Sequence, residues 1–79
     1  MAKSGLNLIG QRVKQARALA KPPLTQEELS KKLDHAGVSI DRAGVAKIET
    51  GIRRVLDYEL VAFARILNVK VNWLLGVKE

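Results

Sequence analysis

The side chains that most often carry out catalysis are sparse in this chain and are not spaced for it. His35 is the single histidine, and the sequence offers it no nucleophile and no second metal ligand at a useful spacing. Glu27 and Glu28 are adjacent, so on a helix they point to different sides and do not form a carboxylate pair. Cysteine is absent, and no glycine-rich loop of the phosphate-binding kind is present. The sequence therefore predicts a protein that is not an enzyme and that uses no metal or cofactor.

Positive charge is the feature of the composition that points to a partner. The formal net charge is +6; residues 1–54 hold eleven Lys or Arg against five Asp or Glu, whereas residues 55–79 hold three of each kind. The first 23 residues contain five basic groups and no acidic one. An asymmetric positive field favours a polyanionic partner such as nucleic acid, although solubility alone is the simpler explanation of a basic surface.

Length and hydropathy limit the architecture. A chain of 79 residues, 47% of them hydrophobic, suits one domain over residues 1–79 with a thin core. The longest apolar runs are only a few residues long, which excludes a transmembrane helix, and no secretory signal opens the sequence. We therefore expect a cytoplasmic protein.

Five helical segments can be traced from hydrophobic periodicity and capping residues, and nothing indicates a paired strand. The first is predicted over residues 7–20 and ends before two prolines. Its inward stripe comprises Leu6, Ile9, Val13, Ala16 and Ala20. The second begins at Thr25, which has the capping-box spacing to Glu28, and ends at Gly37. Its inward positions are Leu29, Leu33 and Ala36.

The last two segments follow the same rules. The fourth helix is predicted to begin with Asp57 as its cap, with Leu56 and Val61 at the positions of a hydrophobic staple. Its inward positions are Leu60, Phe63, Ala64 and Leu67. The fifth is the short segment "VNWLL", which Gly76 ends. The sequence thus predicts an all-α fold.

The third helix, predicted over residues 41–50 with Asp41 as cap and Gly51 at its end, has an unusually bare polar face. Small residues occupy positions where long solvated side chains are usual: Ala43, Gly44 and Ala46. Only two long cations reach outward from this face, Arg42 and Lys47. Glycine inside a helix costs about 1 kcal/mol relative to alanine, so the bareness needs an explanation.

Three stretches together resemble the phage-repressor-like helix-turn-helix family, that of lambda repressor and Cro, also called Xre-type. They are "LTQEELSKKL", "VAKIETGIRRV" and "LNVKVNWLLG", and the resemblance runs from about residue 12 to residue 76. It implies a compact five-helix domain in which the second and third helices form the DNA-reading unit. The expected function is sequence-specific binding of double-stranded DNA as a transcriptional regulator, expected to act as a repressor and as a homodimer.

The resemblance also assigns roles to individual residues. Gln26 is expected to contact phosphate, and Ser30 to keep the second and third helices close. The positions expected to face the major groove are Arg42, Ala43, Ala46 and Lys47, with Val45 and Ile48 buried behind them. The small residues would let the helix approach the bases, so that the two cations reach guanine edges and alanine methyls meet thymine methyls. The simpler reading of Gly44 is that the first helical turn merely tolerates it.

Further positions complete the expected site. Arg53 and Arg54 follow the reading helix and are expected to contact phosphate. Glu49 matches a glutamate that in this family often pairs with an arginine of the first helix, for which Arg17 is the candidate. Trp73 is expected in the core, in a dimer contact, or in both.

The chain departs from the family pattern between its second and third helices. Eight residues separate Leu33 from Arg42, where family members usually have three. We interpret the insertion as an extra turn on the second helix ending at Gly37, followed by a looser connection. An antitoxin-type module, whose main partner is a protein and whose DNA binding is secondary, is the alternative function. RNA binding is less favoured, because aromatic residues make up only 4% of the chain.

Overall fold

The computed structural model describes residues 5–77, and within them the chain forms five α-helices and no strand. The helices are α1 Gly10–Leu19, α2 Gln26–His35, α3 Arg42–Glu49, α4 Asp57–Leu67 and α5 Val71–Leu75. The all-α, five-helix prediction is confirmed.

Helix α1 starts three residues later than its periodicity predicts. The Asn7 side chain accepts hydrogen bonds from the backbone N–H groups of Ile9 and Gly10, and so satisfies donors at the helix start. Leu6 therefore lies outside the helix with half of its surface exposed, and its predicted place in the inward stripe was wrong. Three other residues of the predicted stripe are buried as expected: Ile9, Val13 and Ala16.

Helix α2 has the ends that its sequence indicates. The Thr25 hydroxyl accepts from the Glu28 N–H, and the Glu28 carboxylate accepts from the Thr25 N–H, so the capping box is present. At the other end Gly37 has φ +84°, and Val38 N–H bonds back to the Leu33 carbonyl. The last predicted inward residue, Ala36, is exposed, because α2 ends at His35 and Ala36 is already its C-terminal cap.

Helix α4 begins one residue earlier than predicted. Asp57 is the first helical residue rather than the cap, and the backbone N–H of Leu56 is satisfied by the Glu59 carboxylate at 2.9 Å. Because Leu56 is the cap, Leu56 and Val61 do not occupy the two positions of the predicted staple, and both are exposed, at 51% and 43%. The inward face is otherwise as expected, with Phe63, Ala64 and Leu67 buried and Leu60 partly buried.

All five helices contribute to one core. The seven largest side chains that are fully buried are Val13, Leu29, Leu33, Val45, Ile48, Phe63 and Leu74. Burying a side chain of this kind stabilises the fold by about 1.5–3 kcal/mol each. Helix α3 packs on both α1 and α2, which fixes two sides of it and leaves a third open. None of the helices within residues 5–77 has the length and apolar character needed to cross a membrane.

Candidate nucleic-acid interface

Helix α3 presents a mostly small, partly cationic face on the side that no other helix covers. Its start is capped as predicted, since the Asp41 carboxylate accepts from the Gly44 N–H at 2.7 Å. Behind that face Val45 and Ile48 are fully buried. The residues predicted to face a groove divide into exposed Arg42, Ala43 and Lys47 and half-buried Ala46. The structure therefore brings these four positions together on one short helix.

The orientation of α3 is held by a buried carboxylate. Glu49 Oε2 lies 2.8 Å from Arg17 Nε, and Glu49 Oε1 accepts from Arg17 Nη2 at 3.0 Å. The Glu49 side chain is only 3% exposed. Hydrogen bonding to this carboxylate raises the pKa of Arg17 against the opposing effect of burial. The pair links α1 to the last turn of α3 in the bidentate geometry that arginine and carboxylate favour.

Gln26 is part of the same network. It is the first residue of α2, and its side-chain amide donates to Glu49 Oε1 at 3.0 Å. Arg17 Nη1 also donates to the Leu24 carbonyl, which precedes α2. The start of α2 and the end of α3 are thus tied to one carboxylate, and Gln26 is half-buried beside it.

The inserted connection between α2 and α3 is packed rather than loose, contrary to our prediction. Val38 and Ile40 are 7% and 4% exposed and belong to the core. The Ser30 hydroxyl donates to the Ile40 carbonyl at 2.7 Å, which ties the middle of α2 to the chain just before α3. The alternation of Val38 and Ile40 with exposed Ser39 was the sequence signal for this burial.

The small size of Gly44 has a packing reason that sequence reasoning did not find. A Cβ atom at this position would lie 2.9 Å from the Ile40 side chain and 3.1 Å from the Asp41 carboxylate. A side chain at this position in the first turn of α3 would therefore require the side chains of Ile40 and Asp41 to shift. The bareness of the face at Gly44 follows from how the inserted connection packs against the helix.

The contact between α1 and α3 is closer still, and nothing in the sequence pattern indicated it. A Cβ atom on Gly10 would lie 2.2 Å from the Ile48 carbonyl oxygen, so only glycine fits there without a shift of backbone. The Asn7 side-chain amide donates to the carbonyls of Ile48 and Arg53, at 3.1 and 2.8 Å. Asn7 thus caps α1 and also binds the chain at and beyond the end of α3.

The chain after α3 turns on Gly51, whose φ is +84°, and the two arginines that follow differ. Arg53 is half-buried, and its Nη1 and Nη2 lie 3.1 and 3.2 Å from the Glu59 carboxylate oxygens. Arg54 is exposed, and its guanidinium makes no hydrogen bond or ion pair with any residue in the 5–77 range. Of the two cations predicted to contact phosphate, Arg54 is the one whose side chain is uncommitted.

Burial and hydrogen bonding act in opposite directions on Glu59. Burial alone would raise the pKa of this carboxyl, but hydrogen bonds from Arg53 and from the Leu56 N–H together lower the pKa below its usual range. The hydrogen bonds between Arg53 and Glu59 also raise the pKa of Arg53, the ion-pair partner of Glu59. Glu59 is therefore a carboxylate in the folded protein near neutral pH.

Among residues 5–77, Arg42 has one ion-pair partner, and the pair is weak. Its Nε lies 3.8 Å from the Glu27 carboxylate on α2, and both side chains are more than half exposed. An exposed pair at this distance contributes little and is easily given up. Arg42 is consequently available to another acceptor, at the open side of α3.

Trp73 lies on α5, away from the groups above. Its ring is half-buried against the core, and the Arg12 guanidinium carbon lies 5.1 Å from the ring centroid. This is a cation–π distance. Trp73 therefore joins α5 to α1 within the chain and keeps part of its surface open.

Comparison with known proteins agrees with the arrangement of α2 and α3. The family model described as helix-turn-helix, HTH_3, matches residues 13–74, which span the chain from α1 to α5. No curated protein is similar enough to the chain to count as a match. Residues 13–74 include every helix of the reading unit and most of the core. The chain therefore belongs to the lambda-repressor-like, Xre-type helix-turn-helix family of DNA-binding regulators.

Proposed function

We propose that this protein binds a specific sequence of double-stranded DNA, with α3 in the major groove, and acts there as a transcriptional repressor without catalytic activity. The observation that carries the proposal is the open face of α3. Its cations, Arg42 and Lys47, extend from a helix whose other outward residues are small and whose position is fixed on two sides by α1 and α2.

Base reading falls to the outward residues of α3. Arginine and lysine donate to the O6 and N7 atoms of guanine, and alanine methyl groups contact the methyl group of thymine. Arg42 and Lys47 fill the first role and Ala43 and Ala46 the second. Because Val45 and Ile48 lie in the core on the opposite side, a groove-bound α3 remains rigidly attached to the rest of the fold.

Two proposed phosphate contacts accompany the reading helix. Gln26, at the first position of α2, offers its backbone N–H and the positive end of a helix dipole. Arg54, after Gly51, offers an exposed guanidinium that is unpaired within residues 5–77. Contacts of this kind fix the register of a protein on DNA and carry most of the salt dependence of binding.

A homodimer on a pseudo-palindromic site completes the proposal. A single module of this size covers one half-site, and pairing two modules raises both affinity and specificity. Trp73 is the proposed contact, because part of its ring remains exposed on the short terminal helix. The proposed place of action is the cytoplasm.

The test separates base reading from phosphate binding. Wild type, Arg42→Ala and Arg54→Ala are titrated against a site selected from random duplex DNA and against a scrambled site, at several salt concentrations. We expect Arg42→Ala to cost about 1–3 kcal/mol on the selected site and little on the scrambled one. Arg54→Ala should weaken both alike and lower the slope of log affinity against log salt by about 0.9.

Arg65→Ala is the matched control, because it removes the same charge from an exposed position on α4, outside the reading unit. If Arg42→Ala weakens the selected and scrambled sites equally, Arg42 contacts phosphate and the reading face is misplaced. A wild-type protein that retains no selected duplex would contradict the proposed function itself.

A further inference from the structure

The residues from 52 to 56, which we call the post-α3 link, are held by a set of hydrogen bonds centred on Arg53. Its guanidinium binds both oxygens of Glu59, and Nη1 also donates to the Arg54 carbonyl at 2.8 Å. The Arg53 carbonyl accepts from Asn7, and Glu59 accepts from the Leu56 N–H. The link is therefore tied through Arg53 to Asn7, which precedes α1, and through Arg53 and Leu56 to Glu59 of α4.

Arg53 is poorly suited to leave this arrangement for a phosphate group. The Glu59 side chain is 4% exposed, and Arg53 is its one ion-pair partner in the part of the chain that the structure describes. Moving Arg53 onto DNA would leave a buried carboxylate without a counter-charge. That cost is large, whereas an exposed ionic contact gains little.

Arg54 has the opposite properties. Its side chain is exposed and unpaired within residues 5–77, while its backbone carbonyl is held by Arg53. Fixing the backbone at residue 54 restricts the directions in which the side chain can extend. An arginine held in this way loses less conformational entropy when it binds a phosphate oxygen.

We propose that Arg53 is a positioning residue of the DNA-binding surface: its ion pair with Glu59 holds the post-α3 link so that Arg54 is presented to the phosphate backbone. This rests on the proposed DNA binding and reassigns Arg53, which the sequence predicted as a phosphate contact. The two roles make opposite predictions for one substitution at Glu59.

Glu59→Gln keeps the side-chain shape, removes the counter-charge of Arg53 and makes the protein more positive by one. If Arg53 binds phosphate directly, this variant frees it and binds DNA more tightly. If Arg53 positions Arg54, the variant binds DNA about tenfold more weakly despite its added charge. Its salt slope should fall by about 0.9, as that of Arg54→Ala does.

Two further variants complete the design. In an Arg54→Ala background, Glu59→Gln should no longer change the affinity or the salt slope, because the residue through which it acts is gone. Asp57→Asn removes a charge from the same helix turn at an exposed position, and it should leave affinity equal to wild type or slightly higher. Circular dichroism at the binding temperature checks that each variant is folded.

If Glu59→Gln does not fold, Arg53→Lys distinguishes the same two roles of Arg53. Lysine retains the charge but cannot bind a carboxylate through two parallel hydrogen bonds. A positioning role predicts weaker binding and a reduced salt slope, and a phosphate role predicts binding close to wild type. Tighter binding by Glu59→Gln, or wild-type binding by Arg53→Lys, would overturn the inference while leaving DNA binding intact. Failure of the wild type to bind any duplex would remove the proposed function and this inference together.

Discussion

Gly10 sets how closely α1 approaches α3, because the Ile48 carbonyl oxygen of α3 occupies the space that a side chain at position 10 would need. We expect Gly10→Ala to lower the free energy of unfolding by about 2 kcal/mol or more, although alanine is the better helix former by about 1 kcal/mol. A Cβ atom 2.2 Å from a carbonyl oxygen forces backbone to move. Urea denaturation measures the change.

Gly44→Ala is the natural comparison for that measurement. Its Cβ would meet side-chain atoms of Ile40 and Asp41 at 2.9 and 3.1 Å rather than backbone. The strain is smaller and the gain in helix propensity offsets part of it, so we expect a clearly smaller loss than for Gly10→Ala. Equal effects of the two substitutions would contradict the close backbone contact at Gly10.

Glu49 has three hydrogen bonds from side chains of two other helices and almost no exposure. We expect Glu49→Gln to lower the free energy of unfolding by roughly 3 kcal/mol, because Arg17 then loses its counter-charge in a site only 17% exposed. Glu27→Gln is the control, since its pair with Arg42 is exposed and 3.8 Å long, and it should cost less than about 0.5 kcal/mol. A thermal melt of Glu49→Gln that matches wild type would refute the expectation.

At the scale of elements, the start of α4 makes the fold sensitive to acid. The pKa of Glu59 is lower in the folded protein than its usual value of about 4.3, so folding favours the carboxylate. Its contribution to stability is complete above that pH and is lost as the pH falls through the folded pKa. The difference in urea midpoint between wild type and Glu59→Gln should therefore shrink as the pH is lowered from 6 towards 3 or so.

Asp57→Asn, exposed in the same first turn of α4, serves as the reference for that pH series. The difference in urea midpoint between Asp57→Asn and wild type should change little over the same pH range. If the difference in urea midpoint between wild type and Glu59→Gln is the same at every pH, the stabilisation by Glu59 does not come from its ionised form.

The helices themselves could be predicted from sequence, because their signals are local. The capping box at Thr25, the Asp41 cap and the helix ends at Gly37, Gly51 and Gly76 were all found by spacing alone. Errors arose at two helix starts where a nearby side chain satisfies backbone donors and also binds residues elsewhere in the fold. Glu59 accepts from the Leu56 N–H and from Arg53, and Asn7 accepts at the start of α1 and donates to the carbonyls of Ile48 and Arg53.

The candidate site was predictable only in part, for the same reason. Periodicity indicated which residues of α3 face outward, and the resemblance indicated the Arg17 and Glu49 partnership. The alternation of Val38 and Ile40 with Ser39 was a signal for the packing of the inserted connection, but no local pattern could show that Gly44 lies against Ile40. That contact depends on how the connection and α3 meet in space, and a single sequence carries no record of that distance.

At the scale of the whole molecule, Trp73 connects internal packing with the proposed assembly. Removing a half-buried tryptophan should destabilise the fold by about 2 kcal/mol and, if α5 forms the dimer contact, yield a monomer in sedimentation velocity. Tyr58→Ala is the control, because Tyr58 is an aromatic residue 57% exposed on α4. A Trp73→Ala variant that remains dimeric would place the contact elsewhere, and a wild type that is monomeric would contradict the proposed dimer.

The side chain of Asn7 also fixes an order of events in time. Its amide donates to the carbonyls of Ile48 and Arg53, which lie 41 and 46 positions later in the sequence. Those residues leave the ribosome long after Asn7. Until then the start of α1 lacks the surface against which Gly10 fits. During synthesis, the start of α1 can thus acquire its final contacts only after Arg53 has emerged from the ribosome.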